Sequence, residues 1–335
     1  MQVNKAPIFD TFERKHDYLR ISLTERCNLR CFYCMPEEGI PLREKAVFMT
    51  SEETIELARI FVELGVKKIR LTGGEPLIKK DIANIIQQLG QLPVELTLTT
   101  NAILVDRYIE TFQEAGIQSI NVSLDSLKAE RFNAISRRSY FDRIMTNIEL
   151  LLVNNFKTKV NVVLIKDVND KEVVDFIEWT ENRDVEVRFI EFMPFDGNNW
   201  NWSKKVTQAE IIEKVEAHFG AEKLVSLPSL PNDTSRHYQI DGFKGKFGII
   251  STLTNPFCDS CNRIRLTADG KIKNCLFSSE EVNLLQALRK GKDVEKIIRE
   301  SILAKKHSRA GIQSFEDEKS ALIHSANRSM TTIGG

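Results

Sequence analysis

"YLRISLTERCNLRCFYC" occupies residues 18–34. Its opening, 18–23, is short and β-rich, as expected for a buried strand. A dinucleotide-binding sheet would follow its first strand with a glycine-rich fingerprint, and none stands here. Instead comes a loop with three cysteines spaced C-x3-C-x2-C. Further strand candidates recur at 68–72, 94–100, 119–124, 159–165 and 185–192, with amphipathic segments between them. The clearest is 50–65, where Thr50 and Glu53 spell a capping box, Ile55, Ala58 and Val62 share a face, and Gly65 closes the end. Residues 105–116 repeat the pattern with Ile109, Phe112 and Gly116. Six strand–helix units in a row imply a parallel sheet with right-handed crossovers. The strands end in polar or special segments: the cysteine loop, "GGEP" (73–76), "TNA" (100–102) and "DS" (125–126). In barrels the strands' C-terminal ends carry the chemistry. The expected fold is therefore α/β, an incomplete (βα)6 TIM-type barrel.

A helix is expected at 208–219, stopped by Gly220, and the turn-rich stretch 226–235 reads as a linker. Two short strands, 236–240 and 246–251, and a helical tail from 280 complete a smaller α+β extension. The expected division is 1–225 for the barrel and 226–335 for the extension. The chain's 335 residues, 42% hydrophobic, suffice for one large core plus a smaller domain. Lys+Arg and Asp+Glu both total 47, a balance that argues against a general nucleic-acid or membrane-surface binder. The first twenty residues lack an apolar run, and no stretch approaches the roughly 18 apolar residues of a membrane span. The expected location is cytoplasmic.

All six cysteines fall into two triplets, Cys27, Cys31 and Cys34, then Cys258, Cys261 and Cys275. Cysteines serving only as small apolar residues would scatter, so the grouping points to metal or redox chemistry. Three thiolates wrap one corner of a cube-shaped iron–sulfur cluster and leave the fourth iron open to a small molecule. Zinc is the competing reading, closed by a distant histidine, but His16, His218, His237, His307 and His324 show no ligand-like spacing. Phe32 and Tyr33 either pack in a core or wall a pocket for a flat ligand. In "GGEP", Gly73 and Gly74 either make a turn or let a ligand approach the backbone, with Glu75 offering a carboxylate to its ammonium. The position after a strand favours the ligand. In the second triplet, Cys275 follows Cys261 after thirteen residues, again with no fourth ligand. Arg263 and Arg265 share one face of a strand-like R-x-R. Arg20, Arg70 and Lys159 also sit in strands, where an unpaired charge is costly. Such cations converging on one barrel mouth suit an anionic substrate such as a polyphosphate.

The cysteine motif with "GGEP" after the second strand resembles the radical S-adenosylmethionine superfamily. More of the chain is similar to the GTP 3′,8-cyclase family of molybdenum cofactor biosynthesis. The matching pieces are residues 19–39, 68–77, 98–101, 120–127, 188–200, 257–277 and the terminal "SMTTIGG". One departure is Ala102, where the family usually has glycine, which bears on the local loop conformation. The resemblance implies two [4Fe-4S] clusters, each held by three of the cysteines, with S-adenosylmethionine on the open iron of the first. It places S-adenosylmethionine against Tyr33, Gly74, Ser123 and Met193, and makes Thr99 a wall shared with GTP. Arg20, Arg70 and Lys159 would meet the triphosphate, and Arg263 and Arg265 the base and sugar. Arg20, Arg263 and Arg265 are the candidate catalytic residues. A 5′-deoxyadenosyl radical would take hydrogen from C3′ of the ribose, and the C3′ radical would attack C8 of guanine. The implied partners are an electron donor, a downstream pterin-forming enzyme and a second copy of the chain. The Gly334–Gly335 end is either a frayed tail or a thin strap into the active site. Two other readings stay open: a radical enzyme acting on a peptide, and a non-catalytic zinc-binding or thiol-sensing protein.

Overall fold

The computed structural model describes residues 5–36, 38–41, 43–313, 315 and 327–334. The six expected strands form as β1 (Tyr18–Ser22), β2 (Lys68–Thr72), β3 (Glu95–Thr100), β4 (Ser119–Ser123), β5 (Lys157–Leu164) and β6 (Val185–Glu191). Each pairs in parallel with the next. The helices between them are α1 (Ser51–Glu63), α2 (Ile82–Gly90), α3 (Ile109–Glu114), α4 (Ala129–Ser136), α5 (Phe141–Val153) and α6 (Val173–Glu178), and α7 (Gln208–Phe219) follows β6. The α1 capping box forms in both directions between Thr50 and Glu53. Its buried face is rotated from the expected one, since Leu57, Ala58 and Phe61 are fully buried while Val62 is half-buried.

Strand alternation sets the layers. Leu19 and Ile21, Ile69 and Leu71, Leu98, Ile120 and Val122, Val160 and Val162, Val187 and Phe189 are all fully buried in the main core. With period two, the residues between them point to the other face. These are Arg20, Arg70, Thr97, Thr99, Asn121, Lys159, Asn161, Glu186 and Arg188. A sheet so apolar on one side and so polar on the other packs helices on the first and encloses a polar chamber with the second.

Residues after 225 build no sheet of their own. β7 (Leu224–Leu227), β8 (Arg236–Ile240) and β9 (Lys246–Ile250) pair antiparallel in turn, and β9 joins β6 in parallel. At the opposite end β10 (Arg263–Leu266) joins β1 in parallel, followed antiparallel by β11 (Lys271–Lys273) and β12 (Val282–Asn283). The result is one 12-stranded sheet, and its end strands β12 and β7 do not pair with each other. The architecture is an α/β fold around a parallel sheet, arranged as a partial barrel.

Two expectations need correction. Ser226 and Leu227, expected in a linker, pair with Tyr238 and His237. The helix expected from 280 starts only at α8 (Leu284–Arg289), because β12 occupies the two preceding residues. Strands of two to four residues carry too little alternation to register alone, and their partners hold them. Two more helices, α9 (Val294–Leu303) and α10 (Met330–Ile333), complete the described elements. Ala102 does adopt the left-handed conformation that glycine would favour, with φ +64°. Its carbonyl accepts from Asn147 Nδ2 at 2.7 Å and its amide donates to Thr100 Oγ1 at 3.0 Å, which hold the turn. Among the described residues no helix is long and apolar enough to cross a membrane.

Candidate functional site

The first cysteine loop leaves β1 and is clamped to the turn after β2. Gly74 N donates to the Thr24 carbonyl at 2.7 Å, and Glu75 N to the Arg26 carbonyl at 2.8 Å. A Cβ on Gly74 would overlap the Arg26 carbonyl oxygen, so glycine is what lets the two loops touch. Glu75 is not the open carboxylate expected from sequence. It is 1% exposed and accepts from Leu77 N at 3.0 Å, Thr100 Oγ1 at 2.7 Å and Asn101 N at 2.7 Å. Burial lifts its carboxyl to about 7 in spite of these donors. Asn101 also reaches Cys27 Sγ with its amide at 3.8 Å. Glu75 thus ties the ends of β2 and β3 to the thiol loop.

Within the loop, Cys34 N and Met35 N both donate to the Cys31 carbonyl. Burial pushes Cys27 up to about 11 and Cys34 up to about 12, with Glu75 acting on Cys27 and the neighbouring thiol and Asp125 acting on Cys34. Cys31 is raised too, first by burial and then by Asp125 and the other two thiols. Tyr33 donates to Asp125 Oδ2 at 2.6 Å, and Val163 N donates to Asp125 Oδ1 at 2.9 Å. Three mutually repelling thiols among carboxylates stay protonated unless a metal centre supplies positive charge. Among the described residues no three His, Cys, Asp or Glu side chains converge on a point suited to one ion.

The second triplet brackets β10. Cys261 N donates to the Cys258 carbonyl at 3.1 Å, and Cys275, like Met193 and Trp200, packs against a second apolar cluster that includes Leu253 and Phe277. Burial acts to raise both Cys261 and Cys275. It prevails at Cys275, whereas Lys305 and Arg263 pull Cys261 below its usual range. Cys275 also feels Cys258 and Cys261, so these three thiols lie together.

Between the thiol loops the cations converge. Arg20 is in register with Arg70 on one side and Arg265 on the other. Burial and then the crowd of Arg265, Arg70 and Arg263 lower Arg20 to about 9. Arg265 falls to about 10 through burial and Arg263, and Lys159 to about 8 through burial and Arg188. Arg70 Nε donates to Tyr18 Oη at 2.5 Å and its Nη1 to Thr99 Oγ1 at 3.4 Å. Arg263 lies 4.7 Å from the Phe257 ring centroid and donates to the Asn232 carbonyl at 3.2 Å. Glu186 is the carboxylate on this face, 3.9 Å from Lys159 and beside Arg188 and His237. Like charges at this density favour a bound anion. The side-chain oxygens of Asn121 and Asn161 are buried on the same face without a hydrogen-bond partner, as acceptors for a polar ligand would be.

The tail reaches this chamber. Arg265 Nη1 donates to the Gly334 carbonyl at 2.5 Å, Gly334 is buried with φ +79°, and a Cβ there would overlap Thr72 Oγ1. Arg328 holds the approach, pairing with Asp269 at 2.9 Å, Glu25 at 3.3 Å and Glu281 at 3.3 Å. Gly335 and His324 lie outside the described residues.

The structure therefore brings Arg20, Arg70, Thr99, Lys159, Arg263 and Arg265 to one face between the two thiol loops. Ser123 ends β4, in register with Asn161. Sequence reading missed Tyr18, Asp125, Glu186, Arg188 and Lys305. Glu186 and Arg188 carried the same signal as Lys159, a charge inside a strand, and alternation alone could have found them.

Two family models match this chain: the Radical SAM superfamily over residues 21–180 and Molybdenum Cofactor Synthesis C over 185–311. It is 39% identical to the GTP 3′,8-cyclase of Listeria welshimeri, covering 97% of this chain and 98% of that one. To the mitochondrial GTP 3′,8-cyclase of Arabidopsis thaliana it is 43% identical, over 98% of this chain and 83% of the relative. Molybdenum cofactor biosynthesis protein 1 of Drosophila melanogaster is 48% identical over 85% of this chain, and the match takes in 50% of that protein. The chain thus spans about half the length of several curated relatives it matches. Among solved structures, Streptococcus suis SuiB bound to precursor peptide SuiA superposes with a TM-score of 0.61 at 17% identity, over 92% of this chain and 70% of that one. At that identity the likeness is one of fold.

Proposed function

Because this chain belongs to the GTP 3′,8-cyclase family within the radical S-adenosylmethionine superfamily, we propose that it converts GTP to 3′,8-cyclo-7,8-dihydro-GTP, the first step of molybdenum cofactor biosynthesis. The observation that carries this reading is the run of cations, Arg20, Arg70, Lys159, Arg263 and Arg265, on one sheet face between two three-thiol loops. Radical S-adenosylmethionine membership implies a [4Fe-4S] cluster and S-adenosylmethionine. Cys27, Cys31 and Cys34 would hold that cluster, which with S-adenosylmethionine bound supplies a 5′-deoxyadenosyl radical.

The chain's own residues do the rest. Arg20, Arg70 and Lys159 neutralise the triphosphate, which relieves their mutual repulsion. Thr99, held by Arg70, separates the two ligands. Tyr33, Gly74, Ser123 and Met193 surround S-adenosylmethionine. Cys258, Cys261 and Cys275 hold a second [4Fe-4S] cluster, and Arg263 and Arg265 orient base and sugar beside it. Placement and water exclusion are the protein's contribution to a radical step. Arg20, Arg263 and Arg265 touch the substrate and are the catalytic candidates. Residues 1–225 form the radical S-adenosylmethionine partial barrel, which also supplies Arg20, Arg70 and Lys159 to the substrate, and 226–335 the cluster- and substrate-binding extension, although both share one sheet. An electron donor, a downstream pterin-forming enzyme, a homodimer and a cytoplasmic location belong to the same proposal.

Anaerobic protein with reductant and S-adenosylmethionine tests it. Addition of GTP is expected to release 5′-deoxyadenosine together with a cyclised nucleotide. No GTP-dependent release would overturn the proposal. Zinc without acid-labile sulfide would favour the non-catalytic reading instead.

A further inference from the structure

Beside the second thiol loop lies an ammonium that the proposed reaction leaves unassigned. Lys305 follows α9 and is 4% exposed. Its Nζ donates to Cys261 Sγ at 3.5 Å and to the Arg263 carbonyl at 3.2 Å. Among the described residues no ion pair includes it, whereas Lys271 and Lys273 of β11 both pair with Glu281. A buried ammonium needs an anion close by, and the nearest candidate here is the sulfur.

The placement is over-determined. Lys305 N donates to the Ile302 carbonyl, which closes the end of α9. The next two residues are held by Arg14, whose guanidinium donates to the Lys306 carbonyl at 3.3 Å and the His307 carbonyl at 2.6 Å. The same group donates to the Cys258 carbonyl at 2.6 Å. Arg14 is in turn fixed by Asp10 Oδ2 at 2.7 Å, an oxygen shared with His16 Nε2 at 3.0 Å. One guanidinium therefore ties the segment bearing Lys305 to the loop bearing Cys258 and Cys261. The first loop has a cation of its own, Arg30, but its guanidinium donates to the Cys27 and Leu29 carbonyls, and among the described residues no lysine or arginine hydrogen-bonds a sulfur there. There the described donors to Cys27 sulfur are the Leu29 amide and the Asn101 carboxamide, and Asp125 and Glu75 are close.

We propose that Lys305 is a positioning residue for the second cluster, hydrogen-bonding the Cys261 sulfur and raising the centre's reduction potential. The inference rests on the reading that Cys258, Cys261 and Cys275 hold a [4Fe-4S] centre. One-electron reduction adds a negative charge to the centre and moves no proton. A fixed cation and an N–H···S bond stabilise that added charge. At the first loop Arg30 stands against Glu75 and Asp125, and among the described residues no cation hydrogen-bonds a sulfur, so the two centres differ in this one contact.

Potentiometric titration of the holoprotein with dithionite, followed by electron paramagnetic resonance, tests this. The first centre is identified by its change on adding S-adenosylmethionine. In Lys305→Met the second centre's reduction equilibrium is expected to shift at least tenfold toward the oxidised form, a fall of ~59 mV for a one-electron couple. The first centre stays in place, and Lys305→Arg recovers most of the shift. An unmoved second potential, or equal movement of both, would overturn the inference. If Lys305→Met loses the second centre, retention in Lys305→Arg supports the role of charge and loss in both refutes it. Iron and sulfide counts separate the premise: about eight of each per wild-type chain supports it, and about four overturns the two-cluster reading itself.

Discussion

Glu75 offers the sharpest test of how the first thiol loop is built. Its Oε1 accepts from Leu77 N and Thr100 Oγ1, and its Oε2 from Asn101 N. Glu75→Gln keeps the first pair and sets an amide N–H against the Asn101 N–H. One buried backbone donor then loses its acceptor, at about 1–3 kcal/mol. Glu75→Ala strands both backbone donors and costs about 2–6 kcal/mol by the same rule. With 335 residues the unfolding entropy is about 0.7 kcal/mol/K, so 2 kcal/mol corresponds to about 3 °C in Tm. Calorimetry should therefore rank wild type above Gln and Gln above Ala. S-adenosylmethionine affinity, read by isothermal titration, should fall in step with loosening of the cysteine loop. If Glu75→Gln left Tm untouched and weakened S-adenosylmethionine alone, the carboxylate would serve the ligand's ammonium and the clamp argument would fail.

Three further outcomes follow from the same geometry. Gly334→Ala must pay about 1–2 kcal/mol for a left-handed alanine and also overlaps Thr72. Product formation should fall at least tenfold while Tm falls by no more than about 3 °C, and full turnover would contradict the seated tail. Ala102→Gly trades about 1 kcal/mol of relieved strain against a buried methyl and added chain entropy of similar size, so it should fall within about 1 kcal/mol of wild type in urea unfolding. Ala102→Val, β-branched and fully enclosed, should cost more than about 2 kcal/mol. Tyr18 is raised by burial, but Arg70 and Arg20 more than offset that and hold its phenol at about 7. Its folded pKa lies below the usual 10, so its contribution to stability is complete above pH 10 and is lost as pH falls through 7. Tyrosinate absorbance at 295 nm should rise near neutral pH for one of the five tyrosines and vanish in Tyr18→Phe.

What the sequence made legible was local. The Thr50–Glu53 box, the alternation of Leu19 and Ile21 about Arg20, and the R-x-R pair on β10 each lie within a few residues. The cysteine grouping is compositional and needs no fold to be seen. Contacts made across the fold were not legible. Tyr33 meets Asp125 from 92 residues away, Thr100 and Asn101 reach Glu75 from 25 and 26, and Lys305 meets Cys261 across 44. Glu75 shows the limit well, since a carboxylate in a polar loop reads as exposed until β3 is laid beside β2. The short strands β11 and β12 likewise exist because β10 and β1 offer an edge.

In the proposed function two thiol triplets face one cationic chamber, with S-adenosylmethionine at the first and GTP at the second. Electron paramagnetic resonance of the reduced, anaerobic holoprotein puts this most directly, recorded alone, with S-adenosylmethionine, and with GTP. Two cluster signals are expected, one altered by S-adenosylmethionine and the other by GTP. A single signal, or two that ignore both compounds, would contradict it.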